Sequence, residues 1–148
     1  MNISNGVITV ADLRERVVTA VKHAMKQKAA IRLATLRLIN AAIKDKEIAT
    51  RVNGETQAIS EADILAIMGK MVKQRLESAR AYEEAGRLDL SERERAEIEI
   101  IEEFLPQQLT DAEVEAAISE AITETAAASI RDMGRVMGVL KAAYTGQM

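Results

Sequence analysis

The chain has no cysteine, no tryptophan, one histidine (His23), one proline (Pro106) and three aromatic residues, Tyr82, Phe104 and Tyr144. Each scarcity excludes something. Without cysteine there is no disulfide framework and no thiolate metal site, which suits a reducing compartment, and a cytoplasmic location is expected. A single histidine rules out a multi-histidine zinc centre. A Ser-His-Asp triad would have to recruit that one imidazole from a charged helix surface, so His23 is read as a solvent-exposed residue beside Lys22. Neither Gly-x-Gly-x-x-Gly nor Gly-x4-Gly-Lys-Ser/Thr occurs, so no standard phosphate-cradling loop is visible. No apolar run approaches the ~20 residues that span a bilayer. The start, Met1 to Gly6, has neither a basic region nor a long apolar one, so no signal peptide and no membrane partner are expected. No catalytic residue, metal ligand or cofactor is assigned from this inventory.

What the chain does have is helix punctuation. Of its 148 residues, 48% are hydrophobic and 29% charged, a globular balance. Asp12 with Glu15 opens a first helix carrying Leu13, Val17, Val21 and Met25. A second runs from about residue 30 to 50 with Leu36, Ile39 and Ile43 on one stripe and Leu38 and Ala42 on another, which implies burial on two faces. Arg51-Val52-Asn53-Gly54-Glu55 breaks the pattern. Four pairs of the Ser/Thr-x-x-Asp/Glu form then precede apolar runs: Ser60/Asp63, Ser91/Glu94, Thr110/Glu113 and Ser129/Asp132. Gly86 is placed to cap the third helix in the left-handed conformation, and Pro106 to stop the fourth. The fold class is all-α, with six helices. Residues 1–90 form an N-terminal helical subdomain (with 1–10 an extended start), and residues 91–148 a smaller C-terminal one. Ile39, Ile43, Met68, Val72, Ile98, Ile101, Ile118 and Met137 are expected in the core.

Charge is split along the chain. Residues 1–80 hold 14 Lys/Arg against 8 Asp/Glu, net +6; residues 81–148 hold 6 against 15, net −9. The two add to the overall −3. Asymmetry of this kind suggests a polyanion-facing surface in the first half and a solvated or partner-facing one in the second. Arg37, Lys44 and Arg51 recur every seven residues, which keeps them on one helix stripe. Lys70, Lys73 and Arg80 share a side of the third helix, and Lys22 and Lys26 add charge near the end of the first. These eight residues are the candidate nucleic-acid face. With three aromatics there is little for bases to stack on, so an RNA partner would be held by shape and backbone. The glutamates between Glu92 and Glu103 lack the Glu-x-x-His pairs of a di-iron site and read as a solvated face interleaved with core isoleucine.

Several segments, in order, resemble the YqeY-like family: Arg32-Leu33-Ala34-Thr35-Leu36-Arg37 with Ala41-Ala42-Ile43-Lys44; Lys70 to Arg75, then Tyr82, Gly86, Arg87 and Asp89; Ala96 through Leu109; and Asp132 to Gly138. The similarity covers about residues 12–148. This family is related to the tail domain of the B subunit of the tRNA-dependent amidotransferase, which amidates Glu-tRNA(Gln) or Asp-tRNA(Asn). The resemblance implies a helical N-terminal subdomain followed by a smaller helical one, and a tRNA-engaging role. It also implies association with amidotransferase subunits or an aminoacyl-tRNA system. A family label of carbon–nitrogen ligase with glutamine as amido-N donor follows too, but the chain resembles only the tail and matches neither an amidase region nor a nucleotide-activating cradle. Measured against that pattern the chain stops at Met148, short of a further C-terminal helix, so either a truncated second subdomain or a shortened terminal helix is expected. The leading function is a stand-alone tRNA-engaging module linked to amidotransferase-type metabolism. The alternative is a protein-interaction adaptor docking through its acidic C-terminal subdomain.

Overall fold

The structure, a computed structural model, describes residues 10–55 and 59–148, with side chains from Leu13 onward. Six α-helices are described: α1 Val10–Gln27, α2 Ala30–Ala49, α3 Glu61–Glu84, α4 Leu88–Glu102, α5 Asp111–Glu124 and α6 Met133–Tyr144, the last preceded by a 3-10 turn, Ile130–Asp132. There is no strand among the described residues. A lone bridge joins Val52 to Glu55 across Asn53-Gly54, both at positive φ, the geometry of a tight hairpin turn. The expected extended start lies outside the described residues except for Val10, where α1 already begins. Asp12 is therefore inside the helix rather than at its entrance.

The chain divides into two compact units, residues 1–104 and 105–148. The break expected between residues 90 and 91 falls inside unit 1, because α4 packs along α3 and against α2. The turn that allows this is built locally. Gly86 takes φ 73°, its N–H donates to the Glu83 carbonyl at 3.1 Å, and the Arg87 N–H reaches the Tyr82 carbonyl at 2.8 Å. That is the Schellman arrangement, and Gly tolerates its left-handed residue without a Cβ clash. α4 starts two residues later, so the expected Ser91/Glu94 cap does not form. Ser91 is instead buried inside α4 and its hydroxyl donates to Glu83 Oε1 at 2.9 Å. The other three pairs form as capping boxes, at Ser60/Asp63, Thr110/Glu113 and Ser129/Asp132, the last opening the 3-10 turn before α6.

The core of unit 1 gathers Leu13 and Val17 from α1, Leu36, Ile39 and Ile43 from α2, Ile64, Met68 and Val72 from α3, and Ile98 and Ile101 from α4. Thr35 is also buried, and its hydroxyl donates to the Ile31 carbonyl at 2.9 Å, so no polar atom is stranded there. α2 is not buried on two faces: Leu38 is about half exposed. Unit 2 buries Ala117 and Ala121 of α5 against Val136 and Leu140 of α6. Ile118 and Met137, expected inside, are 36% and 44% exposed. Two helices share only one buried strip, and in unit 2 the alanines of α5 occupy it.

Candidate nucleic-acid interface

Every ion pair among the described residues uses an arginine. Arg14 pairs with Glu47, Arg32 with Glu103 at 2.8 Å, Arg75 with Glu97 at 3.0 Å and Arg87 with Asp89 at 3.3 Å. Arg93 also reaches Glu97 at 3.5 Å, Arg95 reaches Glu83 at 2.6 Å, and Arg135 pairs with Asp132. Planar guanidinium forks bind carboxylates well, whereas ammonium groups stay hydrated. Several of these pairs tie α4 to its neighbours. Arg95 and the Ser91 hydroxyl hold the Glu83 carboxyl below the usual carboxylate range, and the Arg87 guanidinium does the same to Asp89.

The eight candidate cations behave differently. Lys22, Lys26, Arg37, Lys44, Arg51, Lys70, Lys73 and Arg80 are all exposed. Arg51 has an interaction of its own, and none of the other seven forms an ion pair with a described residue. Arg37 and Lys44 lie seven apart on α2, but Arg51 falls beyond the Thr50 cap, so the helical stripe there is two residues long. On α3 the row of Lys73 and Arg80 also carries Glu77 and Glu84, each four residues further on, which thins the positive field. Lys22 and Lys26 lie on α1. The candidates are thus distributed over three helices and the turn after α2.

The charge split of the sequence changes meaning in the fold. Unit 1 contains α4 and holds 17 Lys/Arg against 17 Asp/Glu, so it is neutral; unit 2 holds 3 against 6. The acidic run from Glu92 to Glu103 is therefore not only a solvated face. Glu97 is mostly buried between Arg75 and Arg93, and Glu103 is drawn into a second feature that the sequence did not reveal. This is a cleft of about 530 Å³ between Glu15, Arg16, Thr19 and His23 of α1, Arg32 of α2, and Glu103 and Phe104 after α4. Arg16 donates to the Glu103 carbonyl at 3.3 Å and stacks 5.4 Å over the Phe104 ring. His23 is exposed, as expected, on the wall of this cleft. Both arginines are already occupied, so the cleft reads as the clasp that holds the end of α4 to α1 and α2. Among the described residues no group of three or more His, Cys, Asp or Glu could hold a metal ion, and no helix is long and apolar enough to cross a membrane.

Comparison with known proteins settles the family. A model described as "Yqey-like protein" matches residues 14–148. The chain belongs to the YqeY-like family. Among similar proteins is "Altered inheritance of mitochondria protein 41, mitochondrial" of Lachancea thermotolerans, 34% identical over 105 residues, 70% of this chain and 54% of that one. Proteins of the same name from Clavispora lusitaniae and Meyerozyma guilliermondii are 39% and 40% identical over 84 residues, 57% of this chain and 46% and 41% of theirs. The chain spans about half the length of the curated relatives it matches. The segments that carry the YqeY-like resemblance divide into structural and exposed parts. Tyr82, Gly86 and Arg87 build the turn from α3 to α4, Phe104 is buried, and Asp132 caps the entry to α6. Arg37, Lys44, Lys70 and Lys73 lie in the same segments, are exposed and form no ion pair with a described residue. Among the described residues no ion pair accounts for those four.

Proposed function

We propose that this YqeY-like chain is a stand-alone tRNA-engaging module, working beside a tRNA-dependent amidotransferase or a related aminoacyl-tRNA system. The observation that carries the reading is the division of labour among its cations. Arginines neutralise carboxylates inside unit 1, while Lys22, Lys26, Arg37, Lys44, Lys70 and Lys73 stand exposed without ion pairs among the described residues. The hydrated ammonium groups of these lysines, and the Arg37 guanidinium, suit sequence-independent contact with phosphates. Because unit 1 is neutral overall, the attraction is local to these faces and short in range. Scarce aromatics favour a folded RNA over a loose single strand. The link to amidation rests on the tail-domain resemblance, and ligase chemistry is assigned to partner subunits. We propose the cytoplasm as the compartment; the relatives above carry mitochondrial names.

A tRNA gel shift across salt tests the reading. If Arg37, Lys44, Lys70 and Lys73 neutralise about four phosphates, log K falls against log salt with a slope of roughly −3 to −4. Raising salt from ~50 to ~200 mM then weakens binding on the order of a hundredfold. The double variant Lys44→Glu/Lys73→Glu lowers both affinity and slope, whereas Arg131→Glu in unit 2 changes little. Equal binding by the double variant overturns the assignment.

A further inference from the structure

Unit 2 has a second apolar surface besides its small core. Ile118 and Ile122 of α5 face Met133, Met137 and Leu140 of α6 across a groove of about 460 Å³, with Ile130 at the closed end, 81% exposed. The groove belongs to a 44-residue unit whose buried cluster is two alanines, a valine and a leucine. A core that small is below what usually sustains a domain without staples or association. A methionine-lined wall of this kind adapts readily to a facing helix.

The charges at the groove edges choose what covers it. Asp111, Glu115, Ile118 and Ile122 are four, three and four residues apart, one row along α5. Met133, Met137 and Lys141 are four apart, one row along α6. The Leu109 N–H donates to the Gln147 carbonyl at 2.8 Å, so the start of α5 and the end of α6 lie at the same end of an antiparallel hairpin. One wall of the groove therefore ends acidic and the other ends basic, side by side. Two such hairpins can stack face to face about a two-fold axis in two ways. An axis across the helices lays α5 antiparallel on α5, which puts the acidic start of each over the far end of the other and leaves Lys141 with no Glu115 opposite it. An axis along the helices lays α5 on α6 at equal height, with Glu115 of each copy over Lys141 of the other, twice. We infer that unit 2 is a self-association surface: two copies of this chain stack their α5–α6 hairpins in the second way, closing a four-helix bundle around Ile118, Ile122, Met133 and Met137. This inference is independent of the RNA reading, which rests on unit 1. Each hairpin face is about 20 Å long and two helices wide, at the small end for a stable interface, so association on the order of 1–100 μM is expected.

Sedimentation equilibrium of the full chain tests it. In low salt the mass should climb from 16.2 kDa toward twice that value as concentration rises through this range. Ile122→Glu and Met137→Glu, at positions already exposed, should each weaken association at least tenfold with helical circular dichroism unchanged. Ile48→Glu, at an equally exposed site in unit 1, should leave it intact. Glu115→Lys should weaken association, and the double variant Glu115→Lys/Lys141→Glu should restore it. Because the chain has no cysteine, Ile118→Cys and Met137→Cys proteins can be mixed as sole thiols. They should cross-link to each other faster than either links to itself. A chain that stays monomeric, a dimer indifferent to Ile122→Glu and Met137→Glu, or preferential self-cross-linking overturns the proposal.

Discussion

Unit 1 and unit 2 are made of the same materials, amphipathic helices of which α3 and α5 are opened by Ser or Thr boxes, but they differ in what their apolar stripes meet. In unit 1 the stripes of α1 to α4 meet one another, so Leu13, Leu36, Ile39, Ile64, Met68 and Ile101 are all buried almost completely. In unit 2 two helices bury alanines and leave isoleucine and methionine outside. Their local chemistry differs as well. Unit 1 turns left-handed at Gly86 after α3 but at Lys28, φ 55°, after α1, and has one glycine, Gly69, inside the 24 residues of α3; unit 2 has Ala126 at φ 51° after α5 and two glycines, Gly134 and Gly138, inside the 12 residues of α6. Both units carry a left-handed residue other than glycine after a helix, so that feature does not separate them. Unit 2 differs in holding two glycines in its short last helix and in leaving isoleucine and methionine unburied.

The sharpest way to break that comparison is truncation of one isoleucine in each unit. Ile43→Ala should cost about 2–5 kcal/mol in urea unfolding, because the packed core around it cannot collapse. Ile118→Ala, on the open groove, should cost under about 1 kcal/mol at concentrations where the chain is monomeric. Equal losses would mean that unit 2 is as well packed as unit 1.

Next in size is the Arg75–Glu97 pair, whose side chains are only 14% and 13% exposed. Glu97→Gln should destabilise unit 1 by roughly 1–3 kcal/mol, since it leaves Arg75 without its carboxylate in a nearly closed site. Arg135→Gln in unit 2 removes an exposed pair and should cost well under ~1 kcal/mol. Thermal melts of the two variants measure the difference.

Caps come third. Thr110→Ala should cost about 1 kcal/mol, because it removes an acceptor for the Glu113 N–H. Two repairs in unit 2 should work in the opposite sense. Ala126→Gly relieves a left-handed alanine, and Gly138→Ala adds a Cβ that meets nothing within 4 Å. Each should stabilise by up to about 1 kcal/mol.

The smallest effect is on pH. In unit 1, Asp63 is held below the usual carboxylate range by hydrogen bonds from Ser60. In unit 2, the Ala128 N–H, Arg135 and the Ser129 N–H do the same to Asp132. Groups whose folded value is depressed contribute stability above the ordinary carboxylate range near pH 4, and that contribution is lost as pH falls through the lower folded value. Asp132→Asn should therefore flatten the acid limb of unit 2's melting curve, and Asp63→Asn that of unit 1, read by circular dichroism between about pH 2 and 6.

Much of the fold was legible residue by residue. Six helices, the cap at Gly86 and three of four capping boxes follow from side chains that bond to backbone three or four positions away, and such contacts need no distant partner. Ser91 was misread for the same reason: its spacing to Glu94 is that of a cap, but Glu83 lies close across the turn from α3 and takes its hydroxyl. Leu38 and Met137 were misread because periodicity shows that a face is apolar and not what covers it. The candidate cations are exposed as expected, yet the clasp of Arg16 and Arg32 on Glu103 went unseen, since 87 and 71 residues separate its members.

Helix identity, most helix ends and the placement of apolar stripes were determined by the sequence alone, because they depend on contacts within a turn or two. The pairing of charges was decided only by tertiary structure. A basic first half and an acidic second half looked like two domains of opposite sign, but α4 folds back onto α2 and α3 and makes unit 1 neutral. Electrostatic attraction acts through space and is screened within about 10 Å, so which charges cancel depends on which helices pack together, and linear order carries no record of that.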